Sequence, residues 1–283
     1  MEKLILFVKT YKPDFNRVNK LMASIKLHNV ENIPVVISVN DDDFDFFNDK
    51  FKSSFKVIKD SDIISTTITD PWRYQQIIKA NVYRLDICKN YLCIDSDSEF
   101  IRDFFYTDFM FDDDTPYTIM HESKGFLESM ENIKKDSENI FFKEALRATR
   151  PMFGNHGKEW DYGPSPYLWS AKVWEHFNND FLKESKISFE GFFNEIDKIT
   201  PPSECVIYGE YLLKTRLIDI LPVEGFFKVY HYKEQYDLVK NLHDINKLKK
   251  NYLGVIFQSN WMVENSSSES LFSKLLKPFR GKS

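Results

Sequence analysis

Two short apolar runs decide what this chain can fold into. Leu4-Ile5-Leu6-Phe7-Val8 and Pro34-Val35-Val36-Ile37-Ser38-Val39 are continuous rather than alternating, as strands buried on both faces are. Between them Val18, Leu21, Met22, Ile25 and Leu27 fall near helical spacing, which predicts a helix. Strand, helix and strand in succession argue for a largely parallel sheet, whose ligands bind beyond the carboxyl ends of its strands. Val57-Ile58 reads as a third strand. The spacing of Ile77, Ile78, Ala80, Val82, Leu85 and Ile87 predicts one long helix from Trp72 to Cys88. Tyr91-Leu92-Cys93-Ile94 is then a short buried strand that runs into Asp95-Ser96-Asp97.

Further along, the Lys/Glu-rich stretch from Glu122 to Lys143 reads as helical or mobile. Trp160 to Pro166 reads as a structured loop, dense in Gly, Pro and aromatics. Pro201 to Leu213 begins as a loop and becomes helical, while Ile218 to Ile220 and Phe226 to Tyr230 read as late strands. No repeat or linker divides this region, so one domain over residues 1–265 is expected. Residues 266–283 form a polar linker and a short tail. That tail puts Leu271, Phe272, Leu275, Leu276 and Phe279 on one helical side, with Lys274, Lys277, Arg280 and Lys282 elsewhere. A basic amphipathic end of this kind can lie on an anionic membrane or dock on the protein's own surface, and Pro278 limits it to about two turns.

Composition removes several function classes. A net charge of −5 lacks the basic footprint of nucleic-acid binding. Three cysteines, Cys88, Cys93 and Cys205, have neither metal-type spacing nor an even count, which fits a reducing cytoplasm. The opening apolar run is too short for a signal-peptide core, and no run approaches a membrane span. The expected location is cytoplasmic, with any membrane contact peripheral. The 26 Phe residues fit a Phe-rich core or carbohydrate-stacking faces.

The chemistry points to the end of the Tyr91–Ile94 strand. In an extended chain, residues i and i+2 face the same side, so Asp95 and Asp97 converge. Two carboxylates held close need a cation or protons to offset their repulsion. Hard oxygen ligands suit Mg²⁺ or Mn²⁺, which keep positions open for phosphate oxygens. A metal there stabilises charge on a departing nucleoside diphosphate. An Asp-x-Asp is also a common surface turn; here it follows a buried strand and a helix carrying Gln75, Gln76, Lys79 and Arg84.

Gln75-Gln76-Ile77-Ile78-Lys79 followed by Tyr91-Leu92-Cys93-Ile94-Asp95-Ser96-Asp97-Ser98-Glu99-Phe100-Ile101 resembles the core of GT-A-fold glycosyltransferases. The resemblance is closest to a poorly characterised bacterial group that places a lysine-bearing helix before an Asp-Ser-Asp strand end. It extends to Val8-Lys9-Thr10-Tyr11-Lys12-Pro13-Asp14 and to Ser203-Glu204-Cys205-Val206-Ile207-Tyr208-Gly209. Where that group carries an aromatic between Glu204 and Val206, this chain has Cys205.

The resemblance implies an α/β, GT-A-like (Rossmann-like) fold, a mixed, mainly parallel sheet flanked by helices, to which the tail pattern adds a C-terminal helical extension. It implies a nucleotide-sugar donor, a divalent metal, and a glycan or lipid-linked acceptor, as in bacterial surface-polysaccharide assembly. Thr10 and Tyr11 would meet the base or ribose, and Lys79 the ribose or diphosphate; Arg84 and Ser96 join the expected donor site. Lys79 and Arg84 also fit a solvated helix face, and Thr10 a turn before Pro13. His231, after Phe226 to Tyr230, is the expected late metal ligand beside Asp95 and Asp97, or a structural histidine; His121 is a weaker competitor. An inverting transferase needs a carboxylate base. Glu204 is the first candidate, otherwise a helix-start charge, and Asp161 the second.

Two rival functions use the same residues. A metal-dependent nucleotidyl- or phosphotransferase normally carries a Gly-rich phosphate loop, and the 9 glycines here supply no good one. A non-catalytic carbohydrate-binding protein would leave Asp95 and Asp97 as turn residues.

Overall fold

A computed structural model describes residues 1–138, 140–241 and 244–258. The expected tail at 266–283, and with it the C-terminal helical extension, lies outside the described residues. The strands are β1 (Ile5–Lys9), β2 (Val35–Val39), β3 (Lys56–Lys59), β4 (Asn90–Ile94), β5 (Ser98–Phe100), β6 (Thr118–Ile119), β7 (Tyr167–Ser170), β8 (Pro222–Val223), β9 (Phe227–Tyr230) and β10 (Gly254–Phe257). The helices used below are α1 (Phe15–His28), α2 (Phe44–Phe51), α3 (Pro71–Ala80), α4 (Lys124–Asn132), α5 (Phe141–Phe153), α6 (Ala171–His176), α7 (Phe189–Asp197) and α8 (Glu204–Thr215).

The main sheet runs β3-β2-β1-β4-β7. Its first four strands are parallel, and β7 pairs antiparallel with β4, Cys93 opposite Tyr167. The fold is therefore α/β with a mixed, mainly parallel sheet. Both faces are covered, which explains the unbroken apolar runs. Leu4, Leu6, Val8, Leu92 and Ile94 pack with Val18, Leu21, Met22 and Ile25 of α1 and Phe47 and Phe51 of α2. Ile5, Phe7, Tyr91 and Cys93 face α3, α5 and α8 on the other side. Leu27, expected on the buried stripe of α1, is 74% exposed. A second sheet, β5-β10-β9, continues from the end of β4, and β6 pairs with β8.

Two elements depart from the sequence reading. The helix expected from Trp72 to Cys88 stops at Ala80: Asn81 donates its side-chain amide to Ile77 O, and a 3₁₀ turn at Val82–Leu85 ends in left-handed Asp86. The apolar spacing persists because that turn packs against α6 without being α-helical. Ile218 to Ile220 is not a strand either. Ile218 and Ile220 lie partly buried on the core, and the ladder begins two residues later, at Pro222 opposite Thr118. The antiparallel β7 escapes sequence reading because Trp160 to Pro166 carries the stronger signal, that of a loop.

Candidate active site

The strand order reverses between β1 and β4, since β2 and β3 extend the sheet one way and β4 and β7 the other. Ligand crevices in open α/β sheets form at such a reversal. The segments leaving β1 and β4 meet there: Ser96 Oγ donates to Asp14 Oδ2 at 2.8 Å, and Arg17 holds Asp14 Oδ1 at 2.7 Å. Thr10 is buried, and its hydroxyl finds no partner among the described residues. Tyr11 is 46% exposed.

Asp95 and Asp97 are not on an extended segment as expected. Ser98 N–H closes a turn onto Asp95 O at 3.1 Å, and the chain leaves directly as β5. Both carboxylates are half-buried. The cation beside Asp95 is a protein one: Lys79 Nζ lies 2.6 Å from its Oδ1 and 3.9 Å from Glu204 Oε1, with only 3% of its side chain exposed. Burial opposes the Lys79 charge, but Asp95 and Glu204 together hold its ammonium above the ordinary lysine range.

Glu204 opens α8. Its N–H donates to Gln76 Oε1 at 3.0 Å, and burial pushes its carboxyl up to about 7, with Lys79 pulling the other way. The amide nitrogen of Gln76 is buried without a partner among the described residues. A second buried lysine stands nearby. Lys9 pairs with fully buried Asp60 at 3.0 Å, and Asp60 also accepts from Ser38 Oγ at 2.6 Å. Burial lowers the Lys9 ammonium, and Asp60 offsets part of that. Lys9 passed unread in the sequence, although a lysine closing an apolar strand is itself a sign of buried charge.

A cavity of about 1020 Å³ opens beside Asp95. Its walls come from the 160–166 loop, the starts of α4 and α5, and β9. The loop is held from behind by Glu210 of α8, which is fully buried. Glu210 accepts from Arg150 at 3.0 Å, Asn155 at 2.8 Å and Tyr162 at 2.8 Å, while Arg150 also binds the carbonyls of Gly157 and Lys158. Asp161 lies on this wall, accepting from Gly163 N at 2.9 Å and from the Ser123 hydroxyl. His121 pairs with Asp161 through the backbone and donates Nε2–H to Gly163 O at 2.6 Å. His231 lines the same cavity with its ring 4.6 Å from that of Phe126. Burial pushes its imidazole down to about 4, so the ring is neutral near pH 7.

The structure thus brings together Lys79, Asp95, Ser96 and Glu204, with Thr10 and Tyr11 on the adjoining β1 loop, and places Asp161 and His231 on the cavity. Arg84 is not brought there; it is exposed, bonded to Asn81 and stacked near Tyr83. Glu204 is not part of the cavity wall, although Ser203 and Cys205 are. Among the described residues no three His, Cys, Asp or Glu side chains gather as a metal cluster. Magnesium needs no such cluster, since it is commonly held by one or two carboxylates and the substrate's phosphates. Asp95 and Asp97 are carboxylates of that type on one turn, and Lys79 engages one oxygen of Asp95.

Residues 3–235 match a family described as a family of unknown function, DUF6492. The chain belongs to that family. No curated protein matches it. The DUF6492 region includes the β1 loop, the Asp95–Asp97 turn, Glu204, the 160–166 loop and β9, and so contains every site residue named above. Of the second sheet it leaves out β10.

Proposed function

We propose that this member of DUF6492 is a metal-dependent glycosyltransferase of the GT-A type, moving a sugar from a nucleotide donor to a hydroxyl of a glycan or lipid-linked acceptor. The observation that carries the reading is the meeting of the β1 loop and the Asp95-Ser96-Asp97 turn at the sheet reversal, tied by Ser96 to Asp14. A large cavity adjoins that turn and gives an acceptor room beside the donor.

Asp95 and Asp97 would hold Mn²⁺ or Mg²⁺, which supplies Lewis-acid stabilisation of the departing diphosphate. Exposed Tyr11 and buried Thr10 border the nucleoside. Lys79 places a fixed positive charge beside the leaving group, where preorganised charge stabilises a transition state at little reorganisation cost, and Glu204 with Asp95 holds that ammonium in place. Asp161, one of the carboxylates on the cavity wall, faces the acceptor and takes the hydroxyl proton in an inverting reaction. Glu204, the alternative base, sits on the donor side.

The test is manganese-dependent turnover across a panel of nucleotide sugars, repeated with Asp97→Asn. The wild type should hydrolyse or transfer one donor, and the variant should lose nearly all of that rate while keeping its unfolding midpoint. Asp161→Asn should then lower turnover by about 10²–10⁴-fold, and Glu204→Gln should weaken donor binding. Undiminished activity of Asp97→Asn in chelator would remove the metal reading. Full turnover in Asp161→Asn with an inverted product would return the base role to Glu204.

A further inference from the structure

The cavity wall is unevenly satisfied. Three of its carboxylates already have a donor: Asp95 has Lys79, Glu122 has Lys158 and Lys124, and Asp161 has Ser123 and Gly163, while Glu224 is exposed to solvent. Two of its cations are likewise engaged by oxygen, Lys124 by Glu122 and Arg216 by the Leu213 carbonyl. Lys228 differs. Its ammonium lies over the rings of Tyr230 at 5.7 Å and Tyr252 at 5.9 Å, and no oxygen partner meets it among the described residues.

The fold places it there. Lys228 sits on β9, an edge strand of the second sheet, and alternation puts it on the same side as Tyr230. Burial alone lowers its ammonium, with no carboxylate acting against that. A half-buried lysine held by aromatic faces is a poorly compensated charge. The cavity it lines also presents Trp160, Tyr167, Tyr232 and Phe142. Flat rings suit the apolar faces of sugars, and the volume is at the upper end of the ~300–1,000 Å³ typical of small-molecule sites.

We infer that this cavity binds an anionic saccharide, with Lys228 receiving its carboxylate or phosphate while the surrounding rings stack on the sugar. The inference deepens the transferase reading, because the anionic saccharide is then the acceptor, but the binding itself needs neither donor nor metal. The ligand's anion would give Lys228 the oxygen partner that it lacks among the described residues.

Calorimetric titration of the full chain, without nucleotide or metal, tests it with three probes: a glucuronate-containing tetrasaccharide, a neutral tetrasaccharide of equal length, and a hexose 1-phosphate. At least one acidic probe should bind, and more tightly than the neutral one; which one binds tells carboxylate from phosphate. Lys228→Met keeps the aliphatic stem over the two tyrosines and should weaken that binding about tenfold to a hundredfold, while Lys228→Arg retains most of it. Equal affinity for the neutral probe, no binding by either acidic probe, or unchanged affinity in a folded Lys228→Met overturns the inference. Asp97→Asn should bind the acidic probe like wild type. Acidic-saccharide binding by a protein that takes no nucleotide sugar would remove the transferase reading and leave this site standing.

Discussion

At the scale of single residues, the charges of this protein are arranged by burial. Lys79 and Lys9 lie within the sheet's carboxyl-end crevice, each opposite a carboxylate, and removing one partner from such a pair leaves an uncompensated buried charge. Glu99 on β5 has no such compensation: burial pushes its carboxyl up to about 7, and Lys20 offsets little of it. Its folded-state value is raised, so the fold holds the proton more tightly than the unfolded chain does. That contribution is complete below the ordinary glutamate value of 4.5 and is lost as pH rises through about 7. Glu99→Gln should therefore raise stability at pH 8 by about 1–2 kcal/mol, allowing for solvent screening. The gain should vanish near pH 4.5. Urea titrations at the two pH values, without added divalent cation, check this; an equal gain at both would mean that charge is not the cause.

The elements show what sequence could and could not supply. β1, β2, β4 and α1 were legible because burial on both sheet faces leaves a continuous apolar run, and one-sided packing leaves a helical stripe. The Asp95–Asp97 segment was legible as the end of a buried strand but not as a shape, since the same Asp-Ser-Asp letters suit an extended end or a tight turn, and the pairing of β5 with β10 goes with the turn. The cavity was not legible at all. It needs Glu210, Arg150, Asn155 and Tyr162, spread over 60 residues, to meet behind one loop, and no local pattern encodes such a meeting. The contact between that loop and α8 has no slack: a Cβ on Gly209 would lie 2.1 Å from the ring of Tyr162. Gly209→Ala should cost at least about 1–3 kcal/mol, the range for overpacking a core, although alanine favours helix. Chemical denaturation measures it; an unchanged midpoint would show that Tyr162 can yield, which its bond to Glu210 argues against.

Across the whole molecule, the described residues form two main layers of covered sheet joined where β4 ends and β5 begins. No helix among them is long and apolar enough to cross a membrane. The join is very short: Asp95, Ser96 and Asp97 alone separate the last residue of one sheet from the first of the other. Gly254 keeps the smaller sheet tight on its side of the join, because a Cβ there would lie 2.3 Å from the ring of Phe227. A three-residue splice of this kind acts as a mechanical coupling, so whatever grips it stiffens both bodies it connects. Amide hydrogens of β9 and β10 should accordingly exchange more slowly when a nucleoside diphosphate and manganese are added, if they occupy the splice as proposed. Exchange that slows only in the β1 loop and the turn would mean that the two sheets breathe independently.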